Sequence, residues 1–236
     1  MGRTVSAIET DTALIVELVG PAGAGKTTLL QALCRRDKTV LAGPELELRR
    51  IGHSWIFVRH IPFLAPLLLR TWRSSRPFTW EEMKTLVYLK GWPTVLKAKA
   101  GKSCRVVLLD QGPVFKLAML NAFGPASVRD RRCVDWWNSM YAQWASALDM
   151  VIHLGAPGEL LVERINHRQK WHLVKGKSFE EASEFLARYQ SGCEQVLEEL
   201  TANGSLTLLH LDTGTKTVEQ MVDEVLCAWN SIRGPR

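Results

Sequence analysis

The sequence predicts a three-layer α/β/α fold, a parallel sheet with helices on both faces, and three observations carry that expectation. Apolar runs of strand length alternate with helical patterns along the 236 residues, the arrangement that yields parallel sheets. The first run, ALIVELV (Ala13 to Val19), leads into GPAGAGKT (Gly20 to Thr27), which fits G-x-x-x-x-G-K-[ST] at every fixed position. A later run, RVVLLD, ends in the Asp110 carboxylate at the expected carboxyl tip of a buried strand.

The glycine-rich stretch has a concrete physical use. Small residues let successive backbone N–H groups curl around phosphate oxygens, and a following helix adds its positive N-terminal end. At ordinary glycine usage the pattern should arise by accident in about one chain of this length in a hundred. Its setting between an apolar strand and a helix with Leu29, Leu30 and Leu33 on one face removes most of that chance. Gly20, Pro21, Ala22, Gly23, Ala24, Gly25, Lys26, Thr27 and Thr28 are therefore expected to bind nucleotide. Lys26 would reach the β/γ-phosphates, and the Thr27 hydroxyl would hold Mg²⁺.

The elements follow in order. Met1 to Asp11 is a polar leader without the apolar core of a signal peptide. Thr39 to Ala42 reads as the second strand, with Glu45 just beyond it. Gly52 to Arg76 interleaves aromatic and basic residues and is cut by Pro62 and Pro66. It reads as a helix pair packed on the core or, as the lesser alternative, a surface for a membrane or lipid-linked acceptor. Thr79…Glu82 is a capping box opening a helix to about Lys90, with an interruption at Gly91 to Pro93 and a basic helix resuming to Lys99. Pro113 suits the first position of a helix reaching Phe123, and a second helix is expected over Pro125 to Ala147. The row Trp136, Trp137, Tyr141 and Trp144 fits helix packing. Met150 to Leu154 is the next strand, and Ala156-Pro157-Gly158 opens a helix expected to carry Arg164 and Arg168. Ser178…Glu181 caps a long helix to about Asn203. Leu206 to Leu211 is the last strand, and Thr217…Gln220 caps the terminal helix. Ligands of such sheets bind at the carboxyl ends of the strands, where Lys26, Glu45, Asp110 and the Ala156 turn converge.

Charge placement says more than the net +6. Between Arg49 and Arg105 twelve Lys/Arg face only Glu81 and Glu82, leaving the rest of the chain net acidic. That block either fronts an anionic acceptor or forms a solvated basic face. Five scattered cysteines with no CxxC pair argue against a disulfide framework or zinc site and point to a reducing, cytoplasmic setting. No N-K-x-D motif, D-x-x-G after the Asp110 strand or LSGGQ-like run is present, which excludes switch GTPases and ABC-type ATPases. No DNA or RNA partner is expected, and a homodimer is compatible with the sequence.

Asp110 can hold Mg²⁺ or act as a general base. Arg164 and Arg168, four residues apart, would present two guanidinium groups to stabilise charge on a transferring phosphoryl group. Lys170, Lys175 and Lys177 extend that patch into a loop able to close over the site.

These stretches resemble the P-loop nucleoside and nucleotide kinases, in layout the thymidylate-kinase-like group. GPAGAGKTT, VVLLDQGP, VIHLGAPGELLVERINHR and LLHLDTGTKTVEQMVDEV carry the likeness. It implies a single domain over 1–236 with five parallel strands in the order 2-3-1-4-5. It further implies ATP-Mg²⁺ as donor, a lid over 164–178 bearing Arg164 and Arg168, and an adenine-flanking loop from Asp212 through Gly214 to Thr215. The basic segment 49–104 would be the acceptor side. Thymidylate kinases place Arg after the strand-end Asp, where this chain has Gln111. The acceptor is then a hydroxyl, needing a base (Asp110 or Glu45), or an anion clamped by Arg49, Arg73 and Arg76. An NTPase or nucleotide-binding adaptor is the competing class.

Overall fold

The computed structural model describes residues 13–43, 58–60, 62, 64–65, 67–69, 76–99, 106–169 and 171–233. Glu45, Arg49, Arg73 and Lys170, together with much of the basic aromatic stretch, lie outside the described residues.

Five strands form one parallel sheet: β1 (Leu14–Val19), β2 (Val40–Ala42), β3 (Val106–Asp110), β4 (Met150–Gly155) and β5 (Thr207–Asp212), ordered β2-β3-β1-β4-β5. β1 is wholly buried between β3 and β4, which is why its sequence lacks strand alternation. The register sets Leu18 beside Asp110 and Val19 beside His153, so the phosphate loop leaves the sheet next to the tip of β3.

Among the described residues, the helices that cover the two faces are α1 (Lys26–Arg36), α2 (Trp80–Lys99), α3 (Pro113–Phe123), α4 (Val134–Ala145), α5 (Gly158–His167), α6 (Phe179–Ala202) and α7 (Val218–Arg233), with further helical residues within 58–69. Leu14, Val16 and Leu18 of β1 pack with α1, α5 and α7, while Ile15 and Val19 pack with α2, α3, α4 and most of α6. Leu29 and Leu33 of α1 are fully buried, each contributing about 2 kcal/mol through area removed from water. Leu64 and Leu67 join the second cluster. No helix among the described residues is long and apolar enough to cross a membrane.

Two helix expectations need correction. α2 runs unbroken from Trp80 to Lys99 with Pro93 inside it. Pro93 has no N–H for the carbonyl of Leu89, four residues back. Two α4 side chains supply donors instead: Gln143 Nε2 at 2.7 Å and Trp144 Nε1 at 2.9 Å. The segment Pro125 to Ala147 is not one helix. Two short 3₁₀ turns, Ala126–Arg129 and Arg131–Cys133, precede α4, because Asp130 is extended and its carboxylate accepts from Arg132 N. Trp136, Trp137, Tyr141 and Trp144 pack as core.

The capping boxes form as read. Glu82 N donates to Thr79 Oγ1 while Thr79 N donates to Glu82 Oε2. Ser178 with Glu181 and Thr217 with Gln220 do the same.

Candidate functional site

Two positions of the loop from Gly20 to Gly25 have room for glycine only. At Gly20 (φ 145°) a Cβ would fall 2.2 Å from the Leu154 carbonyl oxygen, and at Gly23 (φ 83°) 2.8 Å from that of Leu161. The loop is therefore seated against β4 and α5. α1 starts at Lys26 with no side-chain cap and no acid in its first turn, which leaves its first N–H groups free for an anion.

Lys26 is folded back on this loop, its ammonium donating to Gly20 O at 2.7 Å and Pro21 O at 2.8 Å. Burial pulls its pKa down to about 8, with Arg168 adding to the shift and Asp110 opposing it. Thr27 Oγ1 lies 3.4 Å from Asp110 Oδ2. Asp110 Oδ1 is buried with no hydrogen-bond partner among the described residues. A hydroxyl beside a carboxylate with an unsatisfied oxygen is the all-oxygen donor set that Mg²⁺ favours. These residues fit that ion.

Gln111 follows with φ 59°, the only non-glycine at positive φ among the described residues, and its side chain is exposed. Beneath this turn is Glu17, an acid hidden in the otherwise apolar pattern of β1. Its side chain is fully buried and accepts from Val114 N at 2.8 Å and Phe115 N at 3.0 Å. Burial raises its pKa to about 8 against the pull of these two donors. A lone acid inside a strand buried on both faces was the available signal.

Arg164 and Arg168 do not share a helix face. α5 ends at His167, and Arg168 is its extended cap residue. The Arg164 guanidinium donates to Thr213 Oγ1 and Thr213 O, both at 2.9 Å, and more weakly to Gly23 O at 3.4 Å. It thereby ties the phosphate loop to the turn after β5, where Gly214 N donates to Asp212 Oδ1 at 2.8 Å. Arg168 sits near enough to Lys26 and His172 for its charge to lower the pKa of both, in each case after burial.

The loop after Arg168 is pinned by buried Val174, by Gly176 N donating to Asn166 Oδ1 at 3.1 Å, and by Lys177 paired with Glu181 at 3.7 Å. Trp171 is 74% exposed on it. A cleft of about 370 Å³ opens between this loop, α6 and the end of α3, lined by Phe123, Leu173, Phe185 and Arg188 among others. Phe123 and Phe185 stack at 4.5 Å.

The expectation that Arg76 clamps an acceptor is corrected. Its guanidinium forms two bonds to Glu82, at 2.9 and 2.7 Å, and one to the Phe123 carbonyl at 3.0 Å. It fastens the start of α2 to the end of α3.

No family model and no curated protein sequence matches the chain. Solved structures do. A thymidylate kinase from Candida albicans, described as having broad substrate specificity, aligns with TM-score 0.57 and 14% identity, over 94% of each chain. The chain has the fold of the nucleoside and nucleotide kinases. A deoxyadenosine kinase from M. mycoides with the products dCMP and a flexible dCDP bound aligns with TM-score 0.51 and 14% identity, over 92% of this chain and 100% of that one. The same enzyme with bound dATP gives 0.49 and 13%, over 92% and 98%. At these identities the likeness is one of fold.

Proposed function

We propose that this protein is an ATP-dependent phosphotransferase that moves the γ-phosphoryl group of ATP to a small-molecule acceptor, with Mg²⁺ as cofactor. The observation that carries the reading is the Thr27–Asp110 pair: a hydroxyl and a carboxylate 3.4 Å apart beside a lysine-bearing glycine loop. Triphosphate oxygens would take the loop N–H groups and draw the Lys26 ammonium away from Gly20 and Pro21. Thr27 and Asp110 would hold the cation, which when bound offsets charge on the phosphates. Arg168 adds a further cation on that side, and the segment 164–178, the end of α5 and the loop after it, acts as a lid that excludes water. Arg164 holds the loop and the Asp212–Gly214 turn together at the base end of the nucleotide.

Transfer forms a bond from an acceptor oxygen to the γ-phosphorus and releases ADP. An acceptor hydroxyl must also lose its proton, for which Asp110 or Glu45 would serve as base. A phosphate acceptor needs no base. Gln111, exposed at the rim, faces the acceptor, and Arg49 and Arg73 would bind it if it is anionic. Nucleosides and their monophosphates are the first class to try, given what the kinases of like fold take. ADP release that depends on one of them supports the reading. ADP release without any acceptor makes the protein an ATPase instead, and ATP binding without turnover makes it a nucleotide-binding adaptor.

A further inference from the structure

Glu17 is the only acidic side chain among the described residues that is fully buried, and its hydrogen bonds to Val114 N and Phe115 N tie it to one turn. Helix α3 opens with Pro113, and its cap residue is Gly112, which has no side chain to serve the first N–H groups. The donors at Val114 and Phe115 are those that a local cap would normally satisfy. Glu17 satisfies both from β1, 97 and 98 residues away in sequence. Gly112 lies flat on the same carboxyl: a Cβ there would come 2.8 Å from Glu17 Cδ. Between Gly112 and Asp110 stands Gln111 at φ 59°. That region is costly for a residue with a long side chain and persists only where the surroundings enforce it. The β1–β3 register holds the turn on one side and the Glu17 carboxyl holds it on the other.

We propose that Glu17 is a positioning residue for Asp110, fixing the Asp110–Pro113 turn so that the Asp110 carboxylate meets the Thr27 hydroxyl. The inference rests on the reading above, in which Asp110 and Thr27 hold the cation bound with ATP. Lys116 and Asp110 are the charges that act on Glu17, and Tyr88, Tyr189 and Cys193 lie near enough for Glu17 to act on them. None of these takes over its two backbone bonds. Glu17 touches no phosphate in this account; it acts through the turn.

Calorimetric titration with ATP, once in Mg²⁺ and once in EDTA, separates the cation's share of binding from the loop's. Glu17→Gln keeps the volume but turns one acceptor oxygen into a donor that confronts a backbone N–H. The Mg²⁺-dependent gain in ATP affinity is expected to fall about tenfold, as when a group orienting a metal ligand is removed, with affinity in EDTA unchanged. Glu17→Asp, which restores the carboxylate one methylene short, should recover part of the gain. Should Glu17→Gln not fold, Gly112→Ala carries the test, since its methyl pushes on the same carboxyl and should give the same selective loss. A cap that merely stabilises the fold would weaken binding equally in both media or in neither, and either result overturns the proposal. Asp110→Asn is measured alongside. If Asp110→Asn abolishes the Mg²⁺ gain while the Glu17 and Gly112 variants keep it, the inference falls alone. If Asp110→Asn keeps the gain, the cation assignment falls and takes the inference with it.

Discussion

The Lys26 ammonium rests 2.7 Å from the carbonyl oxygen of Gly20, bonded to the loop it must leave when a phosphate arrives. Burial has already brought its pKa down to about 8. Near pH 8 the free protein therefore holds Lys26 about half charged, and phosphate oxygens favour the charged form. ATP binding at pH 8 should take up about half a proton at this site. Calorimetry in buffers of different ionisation enthalpy reads that number directly. The uptake should shrink toward pH 6, where Lys26 is already charged, and its Lys26 share should vanish in Lys26→Ala.

Arg164 behaves as part of the binding surface before any nucleotide arrives, because its donors already hold Thr213 and Gly23. Arg164→Ala should raise the Kd for ATP about tenfold, the scale of one charge-assisted hydrogen bond. Turnover at saturating ATP should change less. A large loss of kcat with an unchanged Kd would instead assign Arg164 to the transition state.

Glu17 ties stability to pH. Its native pKa of about 8 lies above the ordinary 4.5, so the native state holds a proton that the unfolded chain releases. Its stabilising contribution is complete below about pH 4.5 and is lost as pH rises to about 8, by an amount on the order of a few kcal/mol. Denaturant unfolding at pH 5 and pH 8 should show a smaller pH difference in Glu17→Gln than in the wild type. Equal differences would mean that Glu17 does not titrate in this range.

What the sequence made legible were features specified by neighbouring residues. The glycine loop, Lys26, Thr27, the Asp110 tip and all three capping boxes depend on local spacing, and their local structure is where it was expected. Features decided by distant partners were harder. Glu17 looked like a blemish in an apolar strand because its partners are in α3. Arg76 looked like an anion clamp because charge alone does not reveal that Glu82 and the Phe123 carbonyl occupy it. Arg168 follows Arg164 at helical spacing, but α5 stops one residue before it. Pro93 signals a break by a sound local rule, which Gln143 and Trp144 override.

That last case can be measured. Trp144→Phe removes one of the two side-chain donors to the Leu89 carbonyl and, with Gln143 still in place, should cost about 0.5–1.5 kcal/mol of stability. Pro93→Ala restores the missing helical N–H, so the same change should cost less in that background. The double-mutant cycle reports the coupling, and strict additivity would show that the two groups do not share this carbonyl.

The central claim, that the glycine loop grips the phosphates of ATP through Lys26, is tested most directly by titrating ATP into the folded protein with Mg²⁺ present. Saturable one-to-one binding is expected for the wild type, weakened at least about tenfold in Lys26→Ala, where the phosphates lose a charge-assisted donor. No binding heat from the wild type, or equal affinity in the two proteins, would contradict it.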